Sequence, residues 1–226
     1  MIPPHIAVIL DGNRRYAKKR FGNPLIGHYY GGKKVGELIK WCMEAGVKEL
    51  TLYCFSVENF KRDEKEVAYL FNLFRDNLKK YKDDGKLKKR GIRINFIGRL
   101  QMFPKDMQRG MKGVMEATKS NNKFTINFAL AYGGRDEIVD AVKSIARKKV
   151  PPEEIDEAII ERHLYLKSKP DLLIRTGEMR ISNFLLWQTA YSELIFLPNV
   201  LWPEFSKSDF KRCMGEFSRR ERRFGR

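Results

Sequence analysis

The sequence predicts an α/β protein, a single domain with a mainly parallel sheet of about six strands flanked by helices on both faces. Three observations predict it. Short runs rich in β-branched and aromatic residues recur along the chain, most of the segments between them carry apolar residues at helical spacing, and those segments are long enough to cross over between parallel strands. The 226 residues, 42% hydrophobic and 12% aromatic, suffice to bury one core of that kind.

The elements follow in order. "HIAVIL" (5–10) reads as the first strand and runs into Asp11-Gly12-Asn13 and the cationic helix start Arg14, Arg15, Lys18, Lys19, Arg20. "ELTLYCF" (49–55) is the second, followed by "SVENFKR" and a helix with Val67, Leu70, Phe71, Phe74, Leu78 and Tyr81 on one face. "IRINFIG" (92–98) and "FTINFAL" (124–130) are the third and fourth, the latter followed by "YGGR". "DLLIR" (171–175) leads into "RTGEMRIS", and "LIFL" (194–197) completes the set. There is no internal repeat and no low-complexity tract; "KKVPPEEIDE" (148–157) is a weak linker candidate, so one domain over 1–226 is expected.

Forty-five Lys and Arg against 28 Asp and Glu give a net charge of +17, which calls for an anionic partner: nucleic acid, an acidic membrane surface or a phosphorylated small molecule. Part of that charge, as in "LKKYKDDGKLKKR", reads as a solvated helix face; a nucleic-acid protein is expected to show a basic stripe with aromatic stacking groups or a recognisable reading helix, whereas the more telling cations here sit beside turns. No segment approaches the roughly 20 apolar residues of a membrane span, and Met-Ile-Pro-Pro-His has no charged leader, so a cytoplasmic protein is expected. Cys42, Cys54 and Cys213 show neither CxxC nor metal spacing, which argues against disulfides and zinc.

In such sheets ligands bind beyond the carboxyl ends of the strands. Asp11 to Arg15, "SVENFKR", "YGGR" and "RTGEMRIS" each follow a strand. Singly, each has a local explanation: Asp-Gly is a turn pair and Ser-x-Glu-Asn can cap a helix. Together they mark an anion site, with an acid at Asp11 positioned to hold a cation against a phosphate.

The blocks "HIAVILDGNRRYAKK", "LYCFSVENFKR", "AYGGRDEIVDAV", "IRTGEMRISNFLLWQTAYSELIF", "LWPEF" and "RRERRFG" resemble the cis-prenyltransferases, the undecaprenyl and dehydrodolichyl diphosphate synthases, in unbroken order from His5 to Gly225. The "DGNRRY" form is similar to archaeal and eukaryotic members. The resemblance implies repeated addition of isopentenyl diphosphate to an allylic diphosphate, with Mg2+ and cis stereochemistry. It implies that Asp11 and Glu193 hold the metal, and that Gly12, Asn13, Arg14, Arg15 and His28, with Tyr16 of the same motif, surround the allylic diphosphate. Arg175, Arg180 and Ser182, with Ile181, are implied for isopentenyl diphosphate, and Arg223 and Gly225 reach toward that pocket across a homodimer. Asn59 is implied in proton removal, with Ser56, Val57, Glu58, Phe60 and Arg62 around the reacting ends. A neutral carboxamide is a poor base, so Asn59 reads as an orienter or relay, with the departing diphosphate or Asp11 as acceptor.

Two departures from the family pattern stand out: "RTGEMR" is one residue shorter than usual, and Pro24 replaces an Arg whose phosphate contact must be lost or supplied by another cation, such as Arg14 or Arg20. The family also includes noncatalytic partner subunits, an alternative that the retained Asp11, Asn59, Arg175, Arg180, Ser182 and Glu193 oppose. A lengthening product needs an apolar tunnel, expected along the Val67 to Tyr81 face with Leu52 and Cys54, and peripheral membrane contact for release.

Overall fold

The structure, a computed structural model, describes residues 1–83 and 85–220. Six strands form one sheet in which every pairing is parallel: β1 (His5–Ile9), β2 (Glu49–Ser56), β3 (Ile92–Ile97), β4 (Phe124–Tyr132), β5 (Leu172–Thr176) and β6 (Glu193–Leu197), in the order β3-β4-β2-β1-β5-β6. Every residue of β1 and β5 is buried, as expected of central strands covered on both faces. Successive side chains of β1 therefore feed opposite cores. Ile6 and Val8 join Leu52, Phe55, Met107 and Trp202, whereas Ala7 and Ile9 join Tyr132, Leu173 and Phe184.

The helices are α1 (Asn13–Phe21), α2 (Ile26–Ala45), α3 (Glu64–Asp83), α4 (Gly85–Arg90), α5 (Lys105–Thr118), α6 (Gly134–Arg147), α7 (Glu157–His163) and α8 (Lys207–Arg219). The linker candidate at 148–157 is instead a short connection inside the domain. A 3-10 turn at Pro152–Glu154 leads to Asp156, whose carboxylate accepts from the Ile159 N–H at 2.7 Å and caps α7, and α7 packs on α6.

Register fixes which polar clusters meet. Ile6 is level with Leu50 and Leu172, and Leu172 is level with Glu193. Asp11, Ser56 and Thr176 thus stand at one edge of the sheet and Glu193 at the other. The chain turns from β1 into α1 at Gly12, where φ is 109° and a Cβ would lie 2.9 Å from the Leu201 Cα. Only glycine combines that backbone with that approach. At Gly31 a Cβ would stand 2.1 Å from the Asn13 Oδ1, so α2 can lie directly against the start of α1.

Candidate active site

The ends of β1, β2 and β5 open on a cavity of about 1020 Å³ that continues between α2 and α3 toward β3, β4 and α5. Its polar end is built around Asp11. The Asp11 carbonyl accepts from the Thr176 hydroxyl at 2.8 Å and from the Trp202 N–H at 2.9 Å, which fixes the backbone just past the strand. Its carboxylate takes Arg175 Nη2 on one oxygen at 3.0 Å and Arg15 Nη2 on the other at 3.1 Å. Arg175 is 3% exposed; its second nitrogen donates to the Ser182 hydroxyl at 2.6 Å and to the Arg180 carbonyl, and its Nε has no partner among the described residues. Arg180 is solvent-facing, with Nε 3.3 Å from the same hydroxyl and Nη1 3.1 Å from Glu178.

The shortened loop after β5 is tightly wound. Gly177 has φ 78°, and three non-glycine residues, Ser182, Asn183 and Leu185, have φ of 45°, 62° and 47°. That winding, uncommon outside glycine, carries the Ser182 hydroxyl between the two arginines. Asn183 latches the loop to the start of α6: its side-chain oxygen accepts from the Arg135 N–H at 2.9 Å and its carbonyl from the Gly134 N–H at 2.7 Å.

A second cationic group gathers on Glu66 of α3, which is 4% exposed. Its carboxylate meets Arg62 at 2.8 Å, His28 at 3.3 Å and Arg14 at 3.5 Å. Burial pulls the His28 pKa below its ordinary value, and the hydrogen bond to Glu66 opposes that pull. Of the two cations available in place of the missing Arg at Pro24, Arg14 joins this group, while Arg20 stacks on the Tyr16 ring at 5.7 Å. Glu66 escaped the sequence reading. The signal was there, since it stands four residues before Leu70, a carboxylate on an otherwise apolar stripe.

Beside it, Ser56 and Asn59 form a capping box at the 3-10 turn Val57–Lys61, with Asn59 Oδ1 accepting from the Ser56 N–H at 3.0 Å. Asn13 donates to the Leu10 carbonyl at 3.2 Å and leaves its Oδ1 buried without a partner among the described residues. The cavity brings together Asp11, Asn13, His28, Ser56, Glu58, Asn59, Arg62, Arg175, Arg180 and Ser182 of the expected site residues.

Others fall elsewhere. Tyr16 packs against Phe21 and Tyr30, Phe60 against Phe55, Phe71 and Phe103, and Ile181 against the second core. Val57 lies in the capped turn and Gly12 serves the chain reversal. Glu193 is the clearest correction. It begins β6 at the opposite edge of the sheet and pairs with Arg220 at 2.8 Å, and Asp11 lies five residues beyond the matching level of β1, roughly 16 Å along the strands. The two carboxylates of one chain cannot share an ion. Arg223 and Gly225 lie outside the described residues.

The far end of the cavity is apolar, walled by Cys54, Leu70, Phe74, Leu78 and Tyr81. Phe96, Phe128, Met107 and Met111 close the other side, from elements the expectation had not included. Leu52 lies in the solid core and Phe71 is held in the Phe55–Phe103 aromatic group. Val67 does not reach the cavity. Burial pushes the Cys54 thiol up to about 12, so it presents a neutral wall. Among the described residues no three His, Cys, Asp or Glu side chains cluster as a metal cage. A single carboxylate between arginines suits an ion that takes one or two carboxylates and completes its shell with water and phosphate oxygens, which is the habit of Mg2+.

A family model described as putative undecaprenyl diphosphate synthase matches residues 9–225. The chain belongs to the undecaprenyl diphosphate synthase family. Among curated members, the tritrans,polycis-undecaprenyl-diphosphate synthase (geranylgeranyl-diphosphate specific) of Pyrococcus horikoshii is 49% identical over 233 residues, covering 100% of this chain and 88% of that protein. Among solved structures, lavandulyl diphosphate synthase from Lavandula x intermedia in complex with dimethylallyl diphosphate superposes with a TM-score of 0.93 at 34% identity, covering 100% of this chain and 99% of that one. A probable undecaprenyl diphosphate synthase from Campylobacter jejuni gives a TM-score of 0.83 at 35% identity over 99% of both chains. Prenyl diphosphate synthases of this family are transferases, and the sheet and helices described above are the cis-prenyltransferase fold.

Proposed function

We propose that this synthase elongates geranylgeranyl diphosphate by repeated cis addition of isopentenyl diphosphate, with Mg2+ at Asp11, and releases a long polyprenyl diphosphate. The observation that carries the proposal is the continuity of one cavity from a cation-rich head to an apolar tail. A diphosphate suits the head and a hydrocarbon chain suits the tail. Twelve residues of α3, from Leu70 to Tyr81, run along it, roughly 16 Å at helical rise. The specificity named for the Pyrococcus horikoshii relative supports the primer.

In this reading Asn13, Arg14, Arg15, His28 and Arg62 hold the primer's diphosphate, and Arg175, Arg180 and Ser182 hold that of isopentenyl diphosphate. The primer's C1–O bond breaks, a bond forms from that carbon to C4 of isopentenyl diphosphate, a proton leaves C2, and inorganic diphosphate departs. Mg2+, when bound at Asp11, offsets the charge of the diphosphates. Both Asp11 oxygens are engaged by arginines and the Asn59 oxygen by the Ser56 N–H. The departing diphosphate is therefore the better proton acceptor, and Asn59 orients through its amide N–H groups. A homodimer whose partner lends the C-terminal Arg-x-Gly belongs to the same reading.

The test is incubation with labelled isopentenyl diphosphate and dimethylallyl, farnesyl or geranylgeranyl diphosphate, with Mg2+ or EDTA. Elongation chiefly from geranylgeranyl diphosphate, abolished by EDTA, is expected. A folded protein that elongates none of the three would instead be a noncatalytic partner subunit.

A further inference from the structure

Where the cavity passes between α2 and α3 it reaches the surface beside a set of residues that the chemistry of the head does not use. Tyr29, 46% exposed, and Lys33 of α2 line it there, as do Asp76 and Lys80 of α3. The Lys33 ammonium sits 4.5 Å above the Tyr29 ring and donates to a Tyr29 hydroxyl, whose pKa it lowers together with Lys80. The aromatic surface continues outward. Tyr29 meets Tyr30 edge-on at 5.6 Å, Tyr30 stacks on Phe21 at 5.2 Å with planes 9° apart, and Phe21 is 45% exposed at the end of α1. Arg20 lies over Tyr16 beneath this group, and Lys18 and Lys19 are exposed on the same helix turn.

Exposed aromatic rings interleaved with lysines and arginines are the composition of a surface that rests at a bilayer interface, with rings at headgroup depth and cations on anionic lipid. We infer that the α1–α2 aromatic-basic patch, with Lys80 of α3, docks the protein on an anionic membrane so that the side opening of the cavity faces the bilayer. Two features select lipid over other occupants. The patch is cationic on a chain of net charge +17, and it is continuous with the apolar cavity. Among the described residues no helix is long and apolar enough to cross a membrane. The inference rests on the proposed function only in giving the docked opening a lipid to deliver.

Vesicle flotation tests it directly, without any substrate. The full chain should float with phosphatidylglycerol-containing vesicles and not with pure phosphatidylcholine, and salt should weaken the binding. Lys33→Glu and the double variant Phe21→Ser/Lys33→Glu should each lower the vesicle partition coefficient about fivefold or more. Lys148→Glu, which changes net charge equally at the exposed end of α6, should leave it within about twofold of the parent. Circular dichroism keeps misfolded variants out of the comparison, and Lys33→Glu alone decides if the double variant does not fold. Equal loss in Lys148→Glu, no flotation of the parent, preference for duplex DNA over vesicles, or a dimer that dissociates in Lys33→Glu would each overturn the inference. Elongation measured separately in detergent keeps the two readings apart: patch-dependent flotation without elongation sinks the function alone, and elongation without flotation sinks the docking alone.

Discussion

Asp11 holds two arginines at once, and that double engagement shapes what its removal would do. Asp11→Ala leaves Arg175, almost wholly buried, without its carboxylate, so destabilisation of about 1–3 kcal/mol is expected beside the loss of turnover. Asp11→Asn keeps an oxygen for one arginine. It should lose elongation by about 100-fold or more while unfolding closer to the parent's temperature, read by calorimetry and the labelled assay. Near-parental turnover in a folded Asp11→Asn protein would show that the acid is not the metal-bearing group. His28 offers a second measurement. Its pKa lies below 6.5 in the folded protein because burial disfavours the charged ring, so the unfolded chain binds more protons just below that value. Stability contributed by neutral His28 is complete above about pH 6.5 and is lost as pH falls through the window beneath it. The drop in urea midpoint between pH 7.5 and 5.5 should be smaller in His28→Gln than in the parent. It should be larger in Glu66→Gln, which removes the carboxylate that holds the His28 proton. Parallel pH profiles in all three proteins would contradict this account of the pair.

At the scale of elements, the turn after β2 does two things with one residue. Asn59 caps the turn through its oxygen and leaves its N–H groups to the cavity. Asn59→Asp preserves the acceptor, which as a carboxylate is the stronger cap at a helix start. Thermal stability should hold while elongation falls about 100-fold or more, because donors are replaced by a charge facing a diphosphate. Equal loss of stability and activity would reduce Asn59 to a structural cap. This double use also explains what the sequence could reveal. "SVENFKR" reads equally as a capping motif and as a site; the structure shows the cap and sets Ser56, Glu58, Asn59 and Arg62 on the cavity wall. The central strands were legible as near-continuous apolar runs, and the edge strands β3 and β6 as short β-branched and aromatic runs bounded by turns. The turn at Pro152–Glu154 and the Asp156 cap that follows it were not, because proline and acidic residues mark linkers and helix starts alike.

Over the whole molecule, what stayed hidden was depth and distance. Tyr16, Val57, Phe60 and Ile181 sit inside site motifs, yet their side chains pack core or turn, because a motif's spacing does not tell which members of a helix or loop point inward. Glu193 stands near the other motifs in family likeness and at the opposite edge of the sheet in space, a separation that strand register alone determines. The tunnel was half legible. The α3 stripe announced one wall, but Met107, Met111 and Phe128 come from elements whose position depends on the sheet order β3-β4-β2, which no local pattern encodes. The central claim is that one cavity handles both ends of the reaction, with the charged head at Asp11 and the growing tail along α3. Cys54 lines that path near the end of β2, and a larger side chain there adds volume that a packed wall does not readily absorb. The most direct test is the product length distribution of active, folded Cys54→Leu against the parent, extracted and sized by mass spectrometry. Shorter products from Cys54→Leu are predicted; an unchanged distribution would mean that the tail does not run along this wall.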